Sequence, residues 1–469
     1  MFWFGASPVS VREPHRAGAI ASLVIAYTYL YSEFSAAIWQ IAVVTLGFTA
    51  TAALVYRSRS NWSRATTFLN VVSILLLIGS AVTIVPYEID RAGRNAQTLA
   101  ERDAIAPVPE PGAVAGTPSI YYVILDGYGR DDILHRYYDH DNRYFTDFLR
   151  EHGFYVAERA RSNYARTIHS VVSTLYATHL ANFIEEHRLD DSRDIHRLVD
   201  ILAYSSVFRF LERHGYATHA YSSTNVAYPA GEVVLPQAPF SYFEREVSER
   251  TPFAPLLDTF WELNAYRIHH DVIRDTIARL NSSVTLPGPK FVLAHIVCPH
   301  PPFVFDREGN FRDEDGDHRL TDGDVMVGRY MTEEQYRRLY SDQVHWLNGE
   351  VMSWVRRVRE TDPTAVIVLQ GDHGPGSMFK WNSLEGTNMI ERFSILNALC
   401  MPGADSAVFY PSLSNVNTFR LIFNAYFGTE FALEPDSSFF SEASRPMLLY
   451  QIHFPDSVPQ QPTGETAEP

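Results

Sequence analysis

Cysteine and lysine are nearly missing from this sequence. Cys298 and Cys400 are its only two cysteines in 469 residues, which excludes a disulfide scaffold and a four-cysteine zinc site. A single Cys298–Cys400 bridge is the one pairing left open, so the redox compartment has to be read from topology. Lys290 and Lys380 are the only lysines, and arginine supplies the other 37 of the 39 basic residues. Basic charge is scarce overall, because 55 acidic residues bring the net charge to −16. That balance excludes a broad nucleic-acid-binding surface. No internal repeat is present. Apolar residues are plentiful: 46% hydrophobic and 13% aromatic excludes a disordered chain. The length suggests two or three structural units.

The charge is unevenly placed. Residues 1–86 hold Arg12, Arg16, Arg57, Arg59 and Arg64 against Glu13 and Glu33, a net of +3, which leaves −19 on the rest. Three apolar runs occupy this basic head: Ala17–Tyr31, Phe34–Tyr56 and Ala65–Pro86. The last two contain no charged residue and have the roughly 20 residues that a bilayer crossing demands. Two to three transmembrane helices are expected, two if the first run only dips into the interface. A cleaved signal peptide fits poorly, since one apolar stretch follows another without an A-x-A-like site. Basic loops stay cytoplasmic. The N-terminus then lies inside, and everything after Pro86 is delivered to the extracytoplasmic side of the inner membrane.

Residues 87–118 turn polar and then rich in Ala, Pro and Gly (Ala106-Pro-Val-Pro-Glu-Pro-Gly-Ala), as expected of a stiff exposed linker. Residues 456–469 read as a disordered tail. Between them lies a body of residues 119–455. Apolar runs at Ile120–Leu125, Phe291–Val297 and Ala365–Leu369 have the solid hydrophobic character of buried strands. Helical patterns cover 143–152, 167–180, 195–214, 256–280 and 332–360. The expected fold is α/β, a mostly parallel central sheet with helices on both faces, preceded by the N-terminal transmembrane helical region. Ligands in such sheets gather at the carboxyl ends of the strands.

Three strand ends carry chemistry. Asp126 follows the first run, His300 (in AHIVCPHPPF) the second, and Asp372 with His373 (QGDHGPGS) the third. Each alone also reads as an ordinary turn or packed loop residue. Together, oxygen and nitrogen donors at one sheet edge suit one divalent metal ion, zinc or manganese more than magnesium. Thr167 opens a helix in Ser162-Asn-Tyr-Ala-Arg-Thr-Ile-His-Ser. It reads either as a helix N-cap or as a hydroxyl placed where a helix N-terminus favours an anion.

The order of Asp126-Gly, a helix-start Thr167 some forty residues later, His300-Pro-Pro and a late Gly-Asp-His-Gly resembles the alkaline phosphatase/sulfatase superfamily. It is most similar to the membrane-anchored branch with lipoteichoic acid synthases and lipid A phosphoethanolamine transferases. The likeness covers roughly residues 119–430. It implies an alkaline phosphatase-like fold, Asp126, Thr167, Asp372 and His373 as metal ligands, Thr167 as nucleophile, and His300 on the substrate's phosphate. Arg166 and Lys380, close in sequence to these ligands, are candidates to clamp an anionic ester. Three positions depart from the family pattern. The segment at Thr167 is not the C/S-x-P-x-R motif of formylglycine sulfatases. Ile296 stands where two-metal relatives carry an Asp, and no histidine follows Asp-His-Gly closely.

The expected activity is therefore a membrane-anchored, metal-dependent hydrolase or transferase of phosphoesters. The expected partners are the lipid bilayer and an anionic phosphoester, a phospholipid or glycan, with no nucleic acid. Sulfuric ester hydrolysis on the same scaffold and a catalytically inert membrane-bound binding protein are the alternatives. His169 is expected on a helix surface, and Asn417 and Arg420 form a family-like segment without an assigned role.

Overall fold

A central run of six residues, Ile120–Leu125 (β1), is buried at every position. Successive strand residues point to opposite faces. Tyr121, Val123 and Leu125 accordingly enter one apolar core, while Ile120, Tyr122 and Ile124 enter the other. A strand apolar on both faces is stable only inside a sheet covered on both sides, which is the arrangement found. The computed structural model describes residues 18–22, 38–58, 63–105, 117–186, 193, 195–224, 226, 228–229, 265–312 and 322–454.

Besides β1, the strands are Tyr155–Val156 (β2), Ala217–Ser222 (β3), Lys290–Ile296 (β4), Val366–Gln370 (β5), Asn397–Cys400 (β6), Ser438–Phe440 (β7) and Tyr450–Ile452 (β8). Six form one sheet in the order β2-β6-β5-β1-β4-β3, and β7 pairs with β8 separately. β1 runs parallel to both β4 and β5, and β3 parallel to β4. The pairs β5–β6 and β2–β6 are antiparallel. The expected mostly parallel sheet is thus present. Its register sets Leu125 beside Ile296 and Ile124 beside Gln370, so the residues after β1, β4 and β5 emerge on one edge.

The long helix Glu333–Thr361 begins with a capping box in which the Thr332 hydroxyl and the Gln335 side chain bond each other's backbone amides. It buttresses two of those emerging loops. Its Tyr340 hydroxyl accepts from Gly129 N at 3.0 Å and donates to Gly127 O at 2.8 Å. Its Gln343 side chain accepts from Val304 N at 2.7 Å and donates to Pro299 O at 3.2 Å.

Several element boundaries differ from expectation. The helix opened by Thr167 ends at Tyr176, because Ala177 turns left-handed (φ 52°); a separate helix starts at Leu180. The segment expected as one helix over 195–214 is two, His196–Leu202 and Ser206–Arg213. Between them Ser205 is the N-cap of the second helix, its hydroxyl accepting from Phe208 N, and a cap residue marks a new helix start rather than a continuation. The helix expected over 256–280 is Ala265–Ser283, and residues 256–264 lie outside the described residues. Cys298 and Cys400 are both buried free thiols, so the bridge does not form.

The chain divides into two compact units. The larger comprises Thr98–Pro236 and Ala265–Pro469, and Met1–Gln97 belongs to the smaller. In the head, Ile38–Arg57 is a helix of 20 residues. The third apolar run continues through Pro86 as part of one helix, Ser63–Ile105. Residues 87–105, within the segment expected as a stiff exposed linker, are therefore helical. The polar sequence there is rich in Ala, Arg, Glu and Gln, all good helix formers. Among the described residues one helix is long and apolar enough to cross a membrane, Ser63–Gly93, so multiple spans are not supported. Most of the first apolar run, residues 106–116 and the tail lie outside the described residues.

Candidate metal and active site

The carboxyl ends of β1, β4 and β5 deliver Asp126, His300 and the Asp372–His373 pair. Backbone bonds fix the loops to one another: Asp126 N donates to Ile296 O at 3.0 Å, and His300 N donates to Asp126 O at 3.0 Å. Gly127 N donates to Asp372 Oδ1 at 3.1 Å, which joins the β1 and β5 ends. Thr167, at the first turn of its helix, completes the group with Oγ1 at 3.2 Å from His373 Nε2.

The hydrogen bonds settle where protons sit. Gly374 O can only accept, so His373 Nδ1, 2.9 Å away, carries the proton and Nε2 presents a lone pair. That Nε2 lies 3.4 Å from Asp126 Oδ1 and 3.5 Å from Asp372 Oδ2. Among the described residues neither of those buried carboxylate oxygens has a hydrogen-bond partner. The Thr167 hydroxyl can donate its proton to the Nε2 lone pair, which leaves the two carboxylate oxygens facing each other without a donor and repelling unless a cation sits among them. The donor set fits a divalent metal ion.

Asp126 and His373 belong with His300 to a group whose ligand atoms all lie within 4.8 Å of one another, and Asp126, His295 and Asp372 form a second such group. The second is better read as support. His295 Nε2 lies 3.1 Å from Asp126 Oδ2, which accepts its proton, while Nδ1 receives the Tyr228 hydroxyl at 2.6 Å. His295 therefore occupies one oxygen of Asp126 and aims the other at His373. His300 Nδ1 donates to Pro301 O at 2.6 Å, and the His300 and His373 rings stand 5.9 Å apart.

Electrostatics follow from this packing. Burial works against charge on Asp126, but His300, His295 and His373 outweigh it and hold the carboxyl well below its usual range. Burial, with the nearby Arg392 guanidinium, keeps His373 neutral-leaning, against the pull of Asp372, Asp126 and Asp322. A neutral imidazole beside ionised carboxylates is the state a metal site needs.

The other sequence candidates fall into four groups. Arg166 packs over the Trp381 ring at 5.1 Å, with its buried Nη1 lacking a partner among the described residues. Burial and Arg392 lower its pKa to about 10. Lys380 is engaged elsewhere, 3.0 Å from Asp324 and half-exposed. His169 is a core residue rather than a surface one, fully buried with Nε2 at 2.7 Å from Pro446 O. Asn417 and Arg420 pin one segment: Asn417 bonds the backbone of Glu434 in both directions, and Arg420 pairs with the Glu434 carboxylate at 2.6 Å.

Sequence reasoning missed His295, Asp322 and Arg392. His295 was legible as the one ionisable residue inside an apolar strand. Asp322 and Arg392 form an ion pair of 2.6 Å with each side chain 1% exposed, and neither stands in a motif.

The sulfatase family profile matches residues 118–390, more than half of the chain. No curated protein matches. Among solved structures, the chain is similar to the C-terminal periplasmic domain of EcEptC from Escherichia coli in complex with zinc, at 11% identity and TM-score 0.42, covering 73% of this chain and 94% of that one. It is similar to the integral membrane protein lipooligosaccharide phosphoethanolamine transferase A (EptA) from Neisseria meningitidis, at 12% identity and TM-score 0.41, covering 87% and 79%. It is also similar to the phosphonate monoester hydrolase of Agrobacterium radiobacter, at 13% identity and TM-score 0.41, covering 69% and 80%. By its match to the family profile over residues 118–390, the chain belongs to the sulfatase family of the alkaline phosphatase/sulfatase superfamily.

Proposed function

We propose that the chain is a membrane-anchored, metal-dependent phosphoester hydrolase or phosphotransferase with Thr167 as its nucleophile. One observation carries the reading: Thr167 Oγ1 sits 3.2 Å from His373 Nε2, beside two buried carboxylate oxygens, Asp126 Oδ1 and Asp372 Oδ2, without partners among the described residues. Asp126, Thr167, Asp372 and His373 would hold the ion, zinc or manganese by their mixed oxygen and nitrogen donors. When bound, it lowers the pKa of a neighbouring hydroxyl and neutralises charge on a transferring group.

Thr167 Oγ1 passes its proton to water and attacks phosphorus in line. The P–O bond to the leaving group breaks, and the departing alkoxide takes a proton from water and leaves as the alcohol. A phosphothreonine remains. Water or an acceptor alcohol then attacks the same phosphorus and restores the hydroxyl. The helix N-terminus beneath Thr167 favours the negative charge of both states. His300 faces the group from the β4 side, and Arg166 Nη1, without a hydrogen-bond partner among the described residues, is suited to a phosphoryl or substrate anion. Thr167-Ile-His-Ser-Val lacks the residues that formylglycine chemistry requires, which favours phosphate over sulfate esters. Basic residues flanking the apolar head support a body on the extracytoplasmic face, where a lipid head group or envelope glycan is the matching substrate class.

The test is turnover of bis(p-nitrophenyl) phosphate by full-length protein in detergent, before and after metal depletion, with an acid quench to trap phosphothreonine. Metal-dependent turnover with the adduct on Thr167 is expected. Undiminished turnover in metal-free protein would overturn the reading.

A further inference from the structure

Asp322 lies outside every motif, yet it touches both halves of the site. It is the first described residue after Arg312 and caps the short helix Gly323–Met326, accepting from Gly323 N. Its side chain is 1% exposed and holds Arg392 Nη1 at 2.6 Å. The Tyr336 hydroxyl donates to its other oxygen at 3.3 Å. His300 Nε2 lies 3.7 Å from Oδ2.

Arg392 carries the connection further. Its Nε donates to Ala165 O at 2.8 Å, two residues before Thr167. Its Nη1 also reaches Gly374 O at 3.4 Å, the carbonyl that orients the His373 ring. One buried guanidinium thus spans the segment ahead of the nucleophile and the loop behind the histidine, and Asp322 balances its charge. Steric contact locks the same place. A Cβ on Gly376 would meet Asp322 Oδ1 at 1.9 Å, and one on Gly323 would meet Gly376 O at 1.7 Å. Only two glycines let the Asp322 turn and the Asp-His-Gly loop lie backbone to backbone.

We infer that Asp322 is a positioning residue: through Arg392 it fixes the separation between Thr167 and His373, and it flanks His300 directly. The inference rests on the proposed phosphoester chemistry at this site. It also separates positioning from stability. A buried pair broken on one side leaves an uncompensated charge and destabilises, whereas neutralising both partners is often tolerated.

The experiment compares full-length wild type with Asp322→Asn, Arg392→Gln and the double variant, all zinc-loaded in detergent. Thermal midpoint, bound zinc, kcat and KM for bis(p-nitrophenyl) phosphate, and inorganic phosphate affinity by calorimetry are measured on each. Each single variant is expected to unfold at lower temperature, and the double variant to regain most of the loss. Zinc remains bound, since all four proposed ligands are intact. In the double variant kcat stays roughly 100-fold down, the cost of a misplaced reacting group, with KM changed little and phosphate bound more weakly. A double variant that regains both its midpoint and its kcat would show the pair to be structural and overturn the inference. Wild type that turns over neither phosphate nor sulfate esters overturns the proposed function instead. Phosphate affinity and zinc content then decide Asp322's role alone, and equal phosphate affinity in all four proteins counts against it.

Discussion

Thr167 and His373 stand 206 positions apart in the chain, yet Thr167 Oγ1 and His373 Nε2 meet at 3.2 Å. The contact exists because β1 and β5 are adjacent and parallel, and because the helix begun by Thr167 points its N-terminus at the edge where both strands end. His373 cannot donate to that hydroxyl through Nε2, since its proton is spent on Gly374 O. The two groups instead face a common point with Asp126 and Asp372.

Metal removal gives the first prediction. With two buried carboxylate oxygens, Asp126 Oδ1 and Asp372 Oδ2, lacking a hydrogen-bond partner among the described residues, the metal-free protein should unfold at lower temperature as well as lose turnover. At a metal concentration a hundredfold above Kd the stabilisation is about 2.7 kcal/mol. Differential scanning calorimetry with and without zinc reads it. An unchanged midpoint would mean that the carboxylates tolerate each other unaided.

The Gly376 contact gives the second. Gly376→Ala forces a methyl against the Asp322 carboxylate, so the Asp-His-Gly loop or the Asp322 turn has to move. A loss of about 1–3 kcal/mol is expected from such overpacking, measured by denaturant unfolding. Gly349 has nothing within 4 Å of an added Cβ, so Gly349→Ala is the matched control and should leave stability unchanged or raise it.

Acid sensitivity gives the third. Burial lowers the pKa of His140 to about 4, of His169 to about 3 and of His269 to about 3, against a usual 6.5. Below 6.5 the unfolded chain takes up protons that the native one refuses, so stability is fully present above pH 6.5 and falls as pH drops toward 4. At pH 5 each group removes about 2 kcal/mol. The thermal midpoint should therefore fall steadily from pH 7 to pH 5, and a flat profile would contradict neutral burial of these rings.

Topology gives the fourth. In spheroplasts with a sealed inner membrane, added protease should cleave between the helix Ser63–Ile105 and β1, releasing the body. Protection of that segment until the membrane is broken would place the body in the cytoplasm and remove lipid head groups and envelope glycans as substrates.

Much of this was legible in the sequence for a definite reason. Ile120–Leu125, Lys290–Ile296 and Val366–Gln370 are buried at every position, so their cores read as apolar runs. The first run ends directly at Asp126, and the third closes with Gln370, two residues before Asp372. The Asp322–Arg392 pair was hidden because its meaning lies in distance, and an Asp within an acidic stretch and an Arg within a helix look solvated. The break at Ala177 was hidden for another reason: a left-handed alanine carries no signal that distinguishes it from a helical one. The extent of the Ser63–Ile105 helix was obscured by Pro86, which a reading by propensity takes as a stop.

The most direct test is the intact mass of Thr167 variants after reaction and acid quench, paired with their turnover. Wild type should carry a phosphoryl adduct on Thr167. Thr167→Ser should turn over more slowly and trap phosphoserine, and Thr167→Ala should fold, carry no adduct and lose turnover by several orders of magnitude. If Thr167 is only the first residue of its helix, which has Arg166 at the cap and no side-chain capping bond, Thr167→Ala would leave stability and turnover nearly unchanged. A fully active Thr167→Ala protein would contradict the account.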